Sequence, residues 1–551
     1  MMFSAQTFKS AVRIALIVSA VLLHHAATVD ANEPQSADLV IYGGNAGGVA
    51  AAVQGTRMGK TVILIEPGNH IGGLTSGGLG ATDIGNKAAI GGISREFYRR
   101  IGQYYSDPAA WKFQTAAEYR SSRQKAGEQE MWTFEPHVAE LVLRQMLQEA
   151  GVRPLFQERL DLKAGVRKKG ARISEIVMES GTVVRGKMFI DATYEGDLMA
   201  LAGVSSTVGR EANSTYNETL NGVQVQHAVH HQFKVAVDPF VVPGDPASGL
   251  LPEITGTDPG TEGAADHRVQ AYCFRMCQTD VPENRIPWEK PADYSEQRYE
   301  LLLRNFEAGD ERIPWSAYGM PNRKTDTNNN FAFSIDHIGA NYDYPQADYA
   351  MRAAIVADHL SYQQGLMWTL ANHPRVPEKI RELFTTWGLS RDEFSDTGHW
   401  PHQLYIREAR RMVGDYVMTQ HHCQGREQVQ DSAGLAAYTM DSHNVQRYAR
   451  DGRVWNEGDV QVGGFPPYAV SWRALVPKFD ECENLVVPVC LSASHIAYGS
   501  IRMEPVFMVL GQSAATGAAL AIDSGKSVQD INYEKLRERL LADQQVLEWR
   551  N

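Results

Sequence analysis

Residues 38–73, DLVIYGGNAGGVAAAVQGTRMGKTVILIEPGNHIGG, carry the reading on which the fold rests. An apolar strand (Leu39, Val40, Ile41) runs into a glycine-rich turn, an alanine-rich helix through Val49 to Arg57 and a second apolar strand from Val62 to Ile65 that ends in Glu66. A turn without Cβ atoms lets backbone approach a pyrophosphate, and the following helix presents N–H groups and the positive end of its dipole. An acid about 20 residues further on is placed to accept hydrogen bonds from a ribose. The stretch reads as a dinucleotide cradle. Two frames of the glycine fingerprint are open. With Gly47 as third glycine, Tyr42 takes the place of the first. With Gly43 and Gly48 as the outer pair, Asn45 stands in the middle, a residue tolerant of glycine-like backbone angles.

Working outward, residues 71–93 form a second glycine-rich run, IGGLTSGGLGATDIGNKAAIGGI, expected where backbone passes close to a bulky ligand. Ser94 to Gly151 reads as helical, with a helix opening at Glu135-Pro136-His137 and apolar positions at Val138, Leu141, Val142, Leu143 and Met146. Short strands from Val152 to Ile190 suggest a β-meander inserted in the first domain. KMFIDATYEGDLMALAGV (187–204) then reads as a strand, an Asp-Ala-Thr corner and a helix returning to the first sheet. Residues 205–480 are polar, aromatic and proline-punctuated, as in a substrate or cap domain whose loops carry side chains over a scaffold. Leu485 to Cys490 reads as a strand, and a helix opens near Glu504 with Pro505 in its first turn. Gly511, Ala515 and Ala519 recur at i, i+4, i+8, a small-residue face for close packing on a sheet or a cofactor. A helical tail at 526–551 closes the chain.

The 551 residues hold 53 Lys and Arg against 65 Asp and Glu, a net charge of −12. With no basic block, nucleic acid is not an expected partner. The five cysteines are too scattered for a disulfide framework and lack the spacing of an iron–sulfur or metal site, so no metal is expected. Lys9 and Arg13 before an apolar run from Ile14 to Leu23, then Val29-Asp30-Ala31, read as a signal peptide over 1–31. The run is too short for a permanent span, which implies an extracytoplasmic protein without a stable membrane anchor.

DLVIYGGNAGG with Glu66, IDATYEGDLMALAGV and NLVVPVCLSASHIAYGSIRMEPVFMVLGQSAATGAALA resemble the three cofactor-contacting segments of the glutathione-reductase-like FAD superfamily. QAYCFRMC, KTDTNN, PHQLYIREARRMVGDYV and ASHIAYGSIRMEP narrow the resemblance to the secreted bacterial FAD-dependent oxidoreductase family, some of whose members carry the label xanthan lyase. The resemblance spans about 38 to 525. It implies an α/β fold: a Rossmann-like FAD-binding domain built from 38–204 and 481–525, with an inserted α+β substrate or cap domain over 205–480. It also implies FAD held by Gly43, Gly44, Asn45, Ala46 and Gly47 at the pyrophosphate and by Glu66 at the ribose. Gly72 and Gly73 would lie along the phosphates or ribityl chain, Asp191 and Ala192 near the adenine side or pyrophosphate, and the helix starting near Glu504 would point its positive end at the flavin pyrimidine edge.

For a flavin enzyme the protein orients a small substrate, moves a proton and holds any substrate anion. His495 and Arg502, on the loop and helix start expected to face the flavin, lead as base and anion clamp. His443, near Asp441, and Arg410 follow. Arg407 and Arg411 would share one face of a helix, with Arg410 to the side. The expected function is hydride transfer between FAD and a small organic or carbohydrate-derived substrate. The alternatives are a polysaccharide lyase without redox chemistry and a non-catalytic flavin electron carrier.

Overall fold

The computed structural model describes residues 34–125 and 127–550; the segment read as a signal peptide lies outside them. Strand β1 (Gln35–Tyr42), helix α1 (Ala46–Arg57) and strand β2 (Val62–Glu66) form the expected unit, β1 and β2 being parallel. Leu39, Val40 and Ile41 of β1 are fully buried on both faces, as apolar strands covered on both sides must be. Helix α2 (Gly92–Tyr105) and helix α3 (Pro136–Glu149) follow. The described residues between them are not the continuous helix their composition suggests; their one helical turn is a 3-10 turn at Pro108–Ala110. In α3, Val138, Val142, Leu143 and Met146 are buried as expected, whereas Leu141 faces outward.

The meander is strands β3 (Leu155–Phe156), β4 (Val166–Lys169), β5 (Arg172–Val177) and β6 (Val183–Asp191). The sheet order is β3-β2-β1-β6-β5-β4. β6 is the hinge of this sheet: it runs parallel to β1 along its length, and its first half pairs antiparallel with β5.

A second sheet collects strands β7 (Cys277–Thr279), β8 (Arg285–Ile286), β9 (Trp315–Met320), β10 (Lys324–Asn329) and β11 (Gly388–Ser390) in the order β9-β10-β7-β11-β8, all antiparallel. The 24-residue helix α4 (Tyr349–Asn372) belongs to the same region, capped by Asp348 on the Met351 N–H.

The chain then returns to the first sheet. Strand β12 (Leu485–Val486), shorter than the expected 485–490, runs parallel to the C-terminal half of β6 at Phe189 and Ile190. Helix α5 (His495–Ile501), helix α6 (Glu504–Ser524) and helix α7 (Tyr533–Ala542) complete the chain. Among the described residues, α6 alone is long and apolar enough to cross a membrane, but 89% of that window is buried within the fold. Of its small residues, Gly511 packs against the start of α1. A Cβ on Gly511 would lie 2.1 Å from the Gly47 carbonyl oxygen, and one on Gly47 would lie 2.9 Å from that of Phe507. Strand β1, the turn and the first residues of α1 are therefore clamped between two chain segments far apart in sequence.

Candidate active site

At the C-terminal edge of β1, β2 and β6 lies a cavity of about 260 Å³ whose lining includes Gly43, Gly44, Asn45, Glu66, Gly73 and Ala192. This is the edge at which open α/β sheets bind ligands. The structure selects the Gly43–Gly48 frame. Gly43 has φ +105°, and a Cβ there would lie 2.8 Å from Ala192 C. A Cβ on Gly48 would meet the Gly43 carbonyl oxygen at 1.9 Å, so only glycine lets the helix start this close to the strand. Asn45 does not take glycine-like angles: at φ −67°, ψ 178° it is the N-cap of α1. Its Oδ1 accepts from the Gly48 N–H at 2.9 Å and its amide donates to the Ala192 carbonyl, tying the turn to β6. Tyr42 belongs to the strand, and its hydroxyl accepts from the Leu160 N–H at 3.0 Å.

Glu66 accepts from the Gly44 and Gly68 N–H groups at 2.8 and 2.6 Å, and burial pushes it up to about 7 despite those donors. Ala46 and Gly47 form the first turn of α1 and do not line the cavity. Gly72 donates to the Gly44 carbonyl at 2.7 Å and joins the glycine runs. Asp191 is fully buried beneath the cavity, where it accepts from Thr193 and from the Met199 N–H at 2.8 Å. Its bonds to Thr193 and Met199 shape the corner after β6. Tyr194, Glu195, Tyr344 and His402 also line the cavity, and no local pattern in the sequence marks them. A glycine cradle that excludes Cβ atoms, a helix start and a carboxylate at the end of β2 fit the adenosine-diphosphate end of FAD.

Glu504 opens α6 and is 2% exposed. Tyr194 and Thr75 each donate a hydroxyl to it at 2.7 Å, and burial raises it to about 7. It does not pair with Arg502. That guanidinium donates to Tyr405 Oη at 2.7 Å and to the Asp441 carbonyl at 3.1 Å, with Gln270 Oε1 at 3.3 Å.

Gln270 links three of the four residues expected to be catalytic, Arg502 directly, His443 through its backbone and His495 through Glu408. Its Oε1 also accepts the His443 backbone N–H at 3.1 Å, and its amide donates to Glu408 at 2.6 Å. Glu408 in turn holds His495 Nδ1 at 2.8 Å, while His495 Nε2 faces Ser442 Oγ at 3.1 Å. His443 sits between Asp336, 2.7 Å from Nδ1, and Asp441, 3.6 Å from Nε2. Burial and Arg407 oppose its protonation, but the two carboxylates prevail and raise its pKa. Gln270, Asp336, Tyr405, Glu408 and Ser442 are partners that sequence reasoning did not single out for this site. The sole local hint was Glu408, set among three arginines.

Arg410 stands apart from that group: it pairs with Asp197 at 2.7 Å and with the Glu195 carbonyl at 3.0 Å, nearer the dinucleotide cavity. The helical reading of Arg407 to Arg411 is also overturned. Arg411–Met412 is a strand paired with Ser206–Thr207, and residues 406–410 before it are irregular. Each guanidinium has its own carboxylate, Asp336 for Arg407 at 2.9 Å and Glu211 for Arg411 at 2.6 Å. These buried pairings outweigh the helix propensity of Arg, Glu and Ala. Lys324 sits among Glu135, Asp392 and Glu393 at 2.7–2.8 Å, and Asp326 on the same strand pairs with Arg275.

A family model described as FAD dependent oxidoreductase matches residues 38–540. No curated protein matches the chain. Similar solved structures include L-amino acid deaminase from Proteus vulgaris, at 17% identity over 33% of this chain and 62% of that one, with a TM-score of 0.23. A 3-ketosteroid-delta4-(5alpha)-dehydrogenase from Rhodococcus jostii matches at 16% identity over 32% of this chain and 50% of that one, TM-score 0.19. A flavin-containing monooxygenase from Stenotrophomonas maltophilia matches at 15% identity over 33% of this chain and 43% of that one, TM-score 0.19. The chain thus spans from two fifths to three fifths of the length of these three proteins.

Proposed function

The chain belongs to the FAD-dependent oxidoreductase family, and from that premise we propose that it moves a hydride between FAD and a small organic or carbohydrate-derived substrate bound beside Gln270. When bound, FAD supplies the two-electron chemistry. Gly43, Gly44 and Asn45 would hold its pyrophosphate, Glu66 its ribose, and the Thr75–Tyr194–Glu504 group its far end. Residues 205–480, which supply Gln270, Asp336, Tyr405, Glu408 and Ser442, act as the substrate or cap domain.

The observation that carries this reading is the buried network around Gln270: its Oε1 accepts from Arg502 and from the His443 backbone N–H, its amide reaches His495 through Glu408, and Arg502 stands two residues before Glu504 at the far end of the cofactor site. Glu408 at Nδ1 orients the His495 ring and leaves Nε2, beside Ser442 Oγ, to take or give a proton. Arg502 Nε has no protein partner, so this guanidinium keeps a donor for a substrate oxygen anion. His443, favoured as the imidazolium by Asp336 and Asp441, adds positive charge for the same anion.

The test begins with the absorption spectrum of the purified protein, then follows anaerobic bleaching by sugars, uronic acids and hydroxy acids. A bound flavin bleached by one of these classes is expected; a protein that stays colourless and cannot be reconstituted with FAD would overturn the reading. His495→Ala is expected to retain FAD and to slow reduction about 100-fold or more. Unchanged reduction kinetics would remove His495 from catalysis.

A further inference from the structure

His337, Asp358 and His359 meet away from the dinucleotide cavity, and they share no metal-binding spacing in the sequence. His337 follows β10 and is bridged to Tyr272, whereas Asp358 and His359 are on α4. One ring nitrogen of each histidine and an Asp358 carboxylate oxygen lie within 4.8 Å of one another. The two histidines are 3% and 1% exposed, and among the described residues His337 Nδ1 and His359 Nε2 have no hydrogen-bond partner. The outer nitrogens are held: His359 Nδ1 by the Ile355 carbonyl at 2.8 Å, and His337 Nε2 by Glu253 at 2.9 Å, with Arg298 Nη2 3.1 Å away. Metal-binding histidines are oriented in this way, the free nitrogen toward the ion and the other fixed by a carboxylate or carbonyl.

From this geometry we infer a divalent transition-metal site of the zinc class, with His337 Nδ1, His359 Nε2 and Asp358 Oδ2 as ligands and a fourth position open to solvent. Ligand atoms about 2.0–2.1 Å from a tetrahedral ion stand about 3.3 Å apart, and His337 Nδ1 is 3.5 Å from Asp358 Oδ2. Arg298 binds the other oxygen, Oδ1, at 2.7 Å and so leaves Oδ2 for the ion. Asp358 is half exposed, which provides the entry path. Two imidazoles and a carboxylate suit zinc, cobalt or nickel rather than magnesium or calcium. The one other such group among the described residues, Glu135, His137 and Glu393, differs: Lys324 Nζ lies 2.7 Å from both carboxylates and takes the place of a cation. The ion would tie α4 to the loop that carries Asp336, the partner of His443, and so act as a positioning centre.

The test is Zn²⁺ binding to the full-length protein after chelator treatment, together with the visible spectrum of its Co²⁺ adduct. One equivalent of Zn²⁺ and four-coordinate cobalt bands are expected. His359→Ala and Asp358→Asn should each weaken Zn²⁺ binding about 100-fold, and Glu253→Gln about 10-fold. Asp358→Asn changes a half-exposed side chain and reports even if the buried histidine variant does not fold. Absence of stoichiometric binding, or binding unchanged in Asp358→Asn, would overturn the site. Flavin content and turnover do not enter these readouts.

Discussion

Glu504 shows how one buried carboxyl sets a pH dependence. Its pKa is raised by burial from the ordinary glutamate range to about 7, and the hydroxyls of Tyr194 and Thr75, which favour the ionised form, only partly offset this. A raised carboxyl pKa means that the folded state binds the proton more tightly than the unfolded chain. The stabilisation is complete below about pH 4.5 and is lost as pH rises through about 7. A shift of this size corresponds to about 3 kcal/mol. FAD-free protein is therefore expected to melt at a lower temperature at pH 8 than at pH 5.5, and Glu504→Gln to flatten that difference. Melting curves of the two proteins at both pH values check this; an unchanged slope in the variant would place the pH dependence elsewhere. Glu504 was legible in the sequence as the start of α6, whereas its hydroxyl partners were not. Thr75 and Tyr194 lie 429 and 310 residues away.

The elements that were legible are those whose cause is local. β1, α1 and β2 follow from apolar runs and a glycine turn, whereas the capping role of Asn45 was not read from the sequence. The opening of α3 at Pro136 follows from proline's fixed φ at a first helical position. The elements misread are those fixed by distant partners. Residues 406–410 contain good helix formers, yet Asp336, Asp197 and Glu211 each draw one arginine and hold the chain out of a helix. Likewise the small-residue face of Gly511, Ala515 and Ala519 was expected against a sheet or a cofactor, and Gly511 meets the start of α1. The crossing of α1 and α6 gives a prediction at this scale. In Gly511→Ala the new methyl meets backbone at Gly47, which cannot rotate away, so a loss of about 1–3 kcal/mol is expected. Gly256→Ala, with nothing within 4 Å of the added carbon, should cost far less. Urea denaturation of the pair measures the difference, and equal stabilities would mean that the crossing yields without cost.

At the scale of the whole molecule, the site exists only when distant segments close on one another. Gln270, Asp336, Glu408, Ser442, His495 and Arg502 span more than 230 residues, and the cradle after β1 rests on α6 at the other end of the chain. One buried apolar cluster runs from Leu39 of β1 through Tyr272, Leu366 and Tyr405 to Leu547, so residues of 205–480 share a core with those of the first sheet. A shared core predicts cooperative loss of both parts. Flavin fluorescence reports release from the cradle, and tryptophan emission, dominated by Trp288, Trp315, Trp368, Trp387, Trp400, Trp455 and Trp472, reports the region from 205 to 480. On heating or in urea the two signals are expected to change together, with one midpoint. A tryptophan transition separated from flavin release would show that residues 205–480 unfold on their own, and the substrate end of the site would then open while the dinucleotide end still held its cofactor.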